Sequence, residues 1–222
     1  ATIAYAENIK QLPQNLKEVK PTIMISVPRV FEKFHDAIWD KINNSSALKK
    51  RVFIWALKQK KNTFSYKIAD FLAFKKVRQK MGGKLRLTIS GGASLNENIG
   101  RFFSKIGITI LEGYGLTETS PVISANKEND LKFGTVGKII PGVKVKITDK
   151  KEIIVKGPNV FLEYFKNKEA TKNCFDKDGW FYTGDLGFQD KQGYLTIIGR
   201  EKEMIVTSGG KNIWPEPIEN LL

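Results

Sequence analysis

Ile108-Thr109-Ile110-Leu111-Glu112-Gly113-Tyr114-Gly115-Leu116-Thr117-Glu118 opens as a short apolar strand, over 108–111, and closes as a glycine-flanked loop. Upstream, Leu85 to Ile89 has the same strand character and runs into Ser90-Gly91-Gly92-Ala93-Ser94, and the pattern from Asn96 to Ile106 predicts a helix. Strand, helix, strand is the unit of a parallel α/β sheet. Further upstream, between Pro28 and about Lys80, apolar residues recur at spacings of three and four: Val30, Phe31, Phe34, Ile38 and Ile42, then Val52, Trp55, Phe64, Ile68, Phe71 and Leu72. That period predicts amphipathic helices. Pro28 suits a first turn, Asn43-Asn44-Ser45-Ser46 a break and cap, and Gly82-Gly83 an end. Downstream of Ser120 the period changes to two, at 143–147, 152–156 and 194–198, with turns at Pro141-Gly142, Asp149-Lys150, Gly157-Pro158 and Lys191-Gln192-Gly193. These short strands predict a small antiparallel barrel. The expected organisation is an α/β part over 1–119, a β-barrel part over 120–199, and from Arg200 a hinge and the start of an α+β domain over 200–222, with a helix beginning at Pro217.

Composition narrows the classes. The 41% hydrophobic content is that of a chain able to bury a core, and no stretch reaches the roughly 18 uninterrupted apolar residues of a membrane span. One cysteine, Cys174, excludes an internal disulfide, and one histidine, His35, excludes a His-rich metal site or a Ser-His-Asp relay built from this segment alone. Both are expected to pack rather than react, and a reducing, cytoplasmic setting fits. The formal charge of +14 attracts polyanions such as ATP, CoA or anionic headgroups, and peripheral contact with the inner face of a membrane is one expectation it raises. Most of it falls on Lys-rich stretches within or beside helical patterns, as a solvated face would. The aromatics do not interleave with basic residues in a nucleic-acid-binding motif, so a basic nucleic-acid module is a remote alternative. Ala1-Thr2-Ile3-Ala4-Tyr5 reads neither as a natural start nor as a signal peptide.

Gly113 and Gly115 around Tyr114 let the backbone turn sharply, so that a tyrosine ring can lie against a planar base and the Thr117 hydroxyl can reach a phosphate oxygen. Glu118 is then placed to hold Mg2+ bridged to the same phosphates, since Mg2+ takes a few hard oxygen ligands. Taken by itself, the stretch reads equally as a plain strand-to-loop connection. It gains meaning from three other blocks in order: Ser90-Gly91-Gly92-Ala93-Ser94-Leu95, Gly179-Trp180-Phe181-Tyr182-Thr183-Gly184-Asp185-Leu186-Gly187, and Gly199-Arg200-Glu201-Lys202-Glu203 with Ser208-Gly209-Gly210-Lys211-Asn212.

Together with Tyr114-Gly115-Leu116-Thr117-Glu118, these blocks resemble the adenylate-forming superfamily of acyl-CoA synthetases, luciferases and adenylation domains. Within it, 22–33 and 207–213 are similar to long-chain fatty acyl-CoA synthetases. The resemblance implies roles. Asp185 would accept hydrogen bonds from both ribose hydroxyls, and Arg200 would add donors to the ribose or phosphate. Gly91, Gly92 and Ala93 would form a small-residue wall of the adenine and acyl pockets, with Glu112, Gly113 and Tyr114 opposite. Lys202 would be the hinge about which a C-terminal domain rotates, while Ser208, Gly209, Gly210 and Lys211 would line the CoA entry. Ser94 stands where the family has proline, and Trp214 where many relatives have a small residue.

The implied chemistry is two-step: a carboxylic acid and ATP form acyl-AMP, and CoA then displaces AMP. An acyl-AMP ligase or an adenylation domain loading a carrier protein is the alternative. The family's phosphate loop is expected upstream of these residues and its adenylating lysine downstream, so the segment alone is expected to have at most residual activity.

Overall fold

The computed structural model describes residues 2–203, 205–206, 212–213 and 215. Two compact units divide the chain, Ala1–Leu111 and Glu112–Leu222.

In the first unit, helix α1 (Leu12–Val19) precedes strand β1 (Ile23–Ser26), which pairs in parallel with β2 (Leu87–Ser90) in the register Ile23↔Leu87 to Ser26↔Ser90. Parallel neighbours need a long crossover. Here it is helical: α2 (Pro28–Asn43), α3 (Ala47–Lys58), α4 (Phe64–Ala69), a π-helical turn (Asp70–Phe74) and α5 (Lys75–Lys80). Pro28 does occupy the first turn of α2. The polar break after it stands, but Ser46 makes no side-chain cap; Ser45 Oγ instead donates to the Ile42 carbonyl at 2.7 Å. The expected strand at 85–89 lies two residues later at its start and one at its end, and the expected helix over 96–106 is α6 (Glu97–Lys105), capped by the Asn96 side chain.

The first stripe converges on an aromatic core through Phe31, Phe34, Ile38 and Ile42, but the second does not: Trp55, Phe64, Ile68, Phe71 and Leu72 are exposed, and Phe53, Ala56, Ala69, Ala73 and Phe74 face the core in their place. Phe31, Phe74 and Phe103 are fully buried, Phe103 standing edge-on to Phe31 at 6.0 Å and to Phe102 at 5.5 Å. Edge-to-face rings add to the burial that drives folding. Phe103→Ala is therefore expected to destabilise the fold by about 3–5 kcal/mol, read as a fall in the urea midpoint at unchanged slope. His35 packs as expected, accepting from Trp39 Nε1 at 2.9 Å with its ring 4.8 Å from that of Phe102.

Strand β3 (Thr109–Gly115) starts in the first unit, where the Thr109 N–H donates to the Arg86 carbonyl at 2.9 Å, and continues into the second. There it pairs antiparallel with β4 (Val122–Ala125), which pairs with β5 (Lys138–Ile139). Four further strands, β6 (Lys144–Ile147), β7 (Glu152–Lys156), β8 (Phe181–Gln189) and β9 (Leu195–Arg200), form an antiparallel sheet in that order, with helix α7 (Lys168–Asn173) between β7 and β8. Leu195 on β9 exchanges backbone bonds with Val136 and Gly137 at 2.9 and 2.8 Å, which curls the sheet into a half barrel. Ile123, Val136, Ile153, Val155 and Leu195 fill its interior. The α/β and antiparallel readings of the two parts hold. Strand β8 was not expected, because its glycines and polar residues break the period of two. Cys174 is half-buried beside α7, its Sγ 3.2 Å from the Thr171 carbonyl. Of the region beyond Arg200, a short turn (Glu201–Glu203) and the antiparallel pair β10 (Ile205–Val206) and β11 (Asn212–Ile213) are described. The helix expected from Pro217 falls outside the described residues.

Candidate active site

The second unit gathers Tyr114, Asp185 and Arg200 from three strands. Antiparallel pairing sets Arg200 on β9 directly opposite Asp185 on β8, and Arg200 Nε lies 3.0 Å from Asp185 Oδ1. From β3, the Tyr114 hydroxyl donates to Asp185 Oδ2 at 2.8 Å. Asp185 is only 4% exposed, whereas the Arg200 side chain is 58% exposed, so the pair presents a buried anion behind a solvent-facing cation. A carboxylate survives such burial only when bonded to donors and charge. Burial first, and then the Asp185 charge, push the Tyr114 phenol far above its ordinary value, so it remains a donor throughout the working range.

Local geometry sets the carboxylate. Gly184, immediately before Asp185, has φ +72°, a conformation costly for a side-chain-bearing residue, with open space where a Cβ would stand. Thr183 Oγ1 then accepts the Asp185 N–H at 3.1 Å and donates to the Ile153 carbonyl at 2.7 Å, fastening β8 to β7.

A second cluster lies four residues along the chain from Tyr114. The expected sharp turn at Gly113-Tyr114-Gly115 does not occur: β3 runs through all three, and the chain bends only at a short turn, Thr117–Thr119, ending with Ser120 at φ +50°. Gly115 is required for close approach instead, since a Cβ there would sit 1.7 Å from the Pro121 carbonyl oxygen. The loop is tied internally by buried Thr119, whose Oγ1 accepts the Leu116 N–H at 3.0 Å and lies 2.8 Å from the Pro121 carbonyl. Asn159 Nδ2 donates to the Thr119 and Val122 carbonyls, both at 2.9 Å, and the Phe161 N–H to the Glu118 carbonyl at 2.8 Å. On the side-chain level, the Tyr164 hydroxyl donates to Glu118 Oε1 at 2.8 Å, and burial followed by that bond pushes its phenol up to about 12.

Thr119, Asn159 and Tyr164 escaped the sequence reading. The aromatic-rich run Phe161-Leu162-Glu163-Tyr164-Phe165 was a signal of packing, but no spacing links Tyr164 to a carboxylate 46 residues away. Of the residues singled out, Thr117 is exposed, Glu118 half-exposed, Glu112 buried on β3, and Lys202 exposed two residues beyond Arg200. A Cβ on Gly113 would meet the Ser124 carbonyl at 3.4 Å. Gly91, Gly92 and Ala93 belong to the first unit, in the loop after β2, where a Cβ on either glycine would meet open space. Ser208, Gly209, Gly210 and Lys211 lie outside the described residues.

A family model described as AMP-binding enzyme matches residues 1–165, which include β3, the loop after it and Tyr164. The chain belongs to the AMP-binding enzyme family. Over its whole length this AMP-binding chain is 42% identical to a long-chain-fatty-acid–CoA ligase, FadD15, of Mycobacterium bovis, of which it covers 39%. Over 95% of its length it is 36% identical to the long-chain-fatty-acid–CoA ligase ACSBG2 of Rattus norvegicus, covering 34% of it. The crystal structure of ATP-bound MatB from Rhodopseudomonas palustris superposes with a TM-score of 0.66 at 30% identity, over 96% of this chain and 37% of MatB. The AMP-binding chain thus spans well under half of each relative. Asp185 and Arg200 fall beyond the family-model match but within the span shared with FadD15.

Glu152 on β7 supports the turn before Asp185 from behind, its Oε1 accepting the Gly184 N–H at 3.1 Å. Burial raises its carboxyl above the usual value; the Gly184 bond acts in the other direction. With the folded pKa above the unfolded one, the stability contributed by the protonated form is complete below the unfolded value and is lost as pH rises through the folded value. Glu152→Gln, which keeps an acceptor, is expected to gain urea-midpoint stability relative to wild type as pH rises from the ordinary carboxyl range, about 4, through the raised folded value. A constant difference across that range would contradict this account.

Proposed function

We propose that the protein containing this chain is an AMP-forming long-chain fatty acid–CoA ligase. The observation that carries the proposal is the buried Asp185 carboxylate held by Tyr114 and Arg200, in a chain 42% identical to a named long-chain-fatty-acid–CoA ligase.

In the first half-reaction, a fatty carboxylate oxygen attacks the α-phosphorus of ATP, the bond to the β,γ-phosphates breaks, and acyl-AMP and pyrophosphate result. Asp185 accepts hydrogen bonds from the ribose hydroxyls, a neutral Tyr114 orients it and offers its ring to the base, and Arg200 adds positive charge on the exposed side. Thr117, exposed at the start of its turn, donates to a phosphate oxygen, so that charge moving onto the phosphates meets a fixed donor. In the second, the CoA sulfur attacks the acyl carbonyl carbon, AMP leaves, and the thiol proton is lost. Lys202, exposed just after β9, serves as the hinge between the two states in this reading.

Glu118 fits Mg2+: it is a hard oxygen donor, half-exposed, with its carboxylate braced by Tyr164, and Mg2+ bound with nucleotides takes one or two carboxylates together with substrate phosphates. When bound, the ion would neutralise phosphate charge. The residues' own share is positioning: Tyr164 and Phe161 hold Glu118 by side chain and backbone.

The test is a substrate screen on the full-length protein, following AMP and pyrophosphate release with acids of increasing chain length, with and without CoA. The proposal expects continuous AMP release only with CoA and a preference for long acyl chains. Pyrophosphate release with retained acyl-AMP, indifferent to CoA, would favour an acyl-AMP ligase or a carrier-loading adenylation domain instead.

A further inference from the structure

The carboxylate of Glu118 is gripped at one oxygen by a donor that cannot follow it. The Tyr164 hydroxyl donates to Glu118 Oε1 at 2.8 Å, and Tyr164 is itself fixed at backbone and ring. Its N–H donates to Thr171 Oγ1 on α7 at 2.9 Å, and its ring stands edge-on to that of Phe161, the centres 4.7 Å apart. Phe161 in turn stacks on Phe175 at 5.6 Å and meets Phe181 of β8 edge-on at 5.5 Å. These rings seat Tyr164 against the strand that carries Asp185. The backbone beneath the carboxylate is held as well, since the Phe161 N–H donates to the Glu118 carbonyl at 2.8 Å and Asn159 Nδ2 to the Thr119 carbonyl at 2.9 Å.

Such a grip limits how the carboxylate presents itself to a cation. Among the described residues no group of three or more His, Cys, Asp or Glu side chains is placed to hold a metal ion, so an ion here depends on nucleotide phosphates and on the presentation of Glu118. Ca2+ takes a large, loose shell of oxygens and accepts a carboxylate through both of its oxygens, whereas Mg2+ demands a small, near-octahedral shell at shorter distances. Chelation through both oxygens requires the carboxylate plane to turn until both face the ion. A hydrogen bond from a fixed hydroxyl to Oε1 opposes that turn and leaves Oε2 forward. Outer partners of this kind orient a ligand and commonly change metal affinity by about ten- to a hundredfold when removed.

We propose that Tyr164 is a specificity-determining residue of the nucleotide site: by holding Glu118 Oε1 it presents Oε2 alone, and so makes the site favour Mg2+ over Ca2+ as the partner of ATP. The proposal rests on the assignment of Glu118 as the Mg2+ ligand. It is tested on the full-length protein without fatty acid or CoA, so that no turnover occurs, by calorimetric titration of ATP with either Mg2+ or Ca2+ in excess. Wild type is expected to bind ATP more tightly with Mg2+ than with Ca2+, and in Tyr164→Phe the ratio of the two dissociation constants is expected to fall about tenfold. Both constants come from the same protein sample, so partial loss of folded material leaves the ratio intact. In a Glu118→Gln background, Tyr164→Phe is expected to leave the ratio unchanged, because the hydroxyl acts only through the carboxylate. A wild type without preference, a ratio unaltered by Tyr164→Phe, or one altered equally in the Glu118→Gln background would each overturn the proposal while leaving the ligase reading in place. ATP binding that ignores both ions and Glu118→Gln would remove Glu118 as the metal ligand, and no ATP binding at all would remove the nucleotide site. Either result overturns the proposal together with the reading on which it rests.

Discussion

If the proposed ligase activity holds, Asp185→Ala is expected to lower kcat/KM for ATP in the full-length protein by about two to three orders of magnitude, because hydrogen bonds to a charged group contribute about 1.5–3 kcal/mol each and at least two to the nucleotide are lost. The loss is expected in KM for ATP more than in kcat, since ribose contacts are made in ground state and transition state alike. Two partners are also stranded. The Tyr114 hydroxyl, buried and held as a donor, loses its acceptor, and Arg200 loses the carboxylate opposite it in the β8–β9 register. Tyr114→Phe separates these effects: it keeps Asp185 and removes only its orienting donor, so about a tenfold loss is expected. An Asp185→Ala enzyme within threefold of wild type in KM for ATP would remove Asp185 from the nucleotide site.

Gly115→Ala is expected to destabilise the second unit by about 3 kcal/mol or more, beyond the usual range for overpacking, because the obstruction is backbone. The added methyl would lie 1.7 Å from the Pro121 carbonyl oxygen, 2.7 Å from its carbon and 2.9 Å from Val122 Cα. No side chain is there to swing away, so β3 and β4 must part at the point where their register already shifts, between Tyr114 and Gly115. Two neighbouring glycines calibrate the claim. Gly113→Ala meets the Ser124 carbonyl at 3.4 Å and is expected to be mild, while Gly184→Ala has free space but a positive φ and is expected to cost about 1–2 kcal/mol. Urea unfolding of the three variants gives the ranking, and a Gly115→Ala no worse than Gly113→Ala would contradict it.

Much of this architecture was legible in advance, element by element. The three-to-four spacing in 28–80 marked the helices, since helical periodicity is local to a sequence window, but which face is buried was legible only for the first stripe: between 52 and 74 the core takes Phe53, Ala56, Ala69, Ala73 and Phe74, and Trp55, Phe64, Ile68, Phe71 and Leu72 are exposed. The alternation Lys144-Val145-Lys146-Ile147 marked β6, whose half-buried Val145 and Ile147 pack against the interior of the half barrel. Strand β8 was hidden because it carries its function in glycine, threonine and aspartate rather than in apolar alternation. The Gly-Tyr-Gly turn was misplaced for a related reason. Glycine in a sequence signals either a positive φ or a close approach, and only the position of Pro121 tells the two apart.

The ordered blocks around Tyr114, Asp185 and Arg200, and the periodicity on either side of them, were determined by sequence alone, because residue type and short-range spacing are what local propensity and ligand chemistry act upon. Tertiary structure decided which of those residues meet. The register of β8 on β9 sets Arg200 against Asp185, the extension of β3 carries Tyr114 to the same carboxylate across 71 residues, and the strap through Asn159, Phe161 and Tyr164 holds Glu118. Such pairings depend on long-range strand register and on which polar groups are sealed from water together, quantities that no sequence window contains.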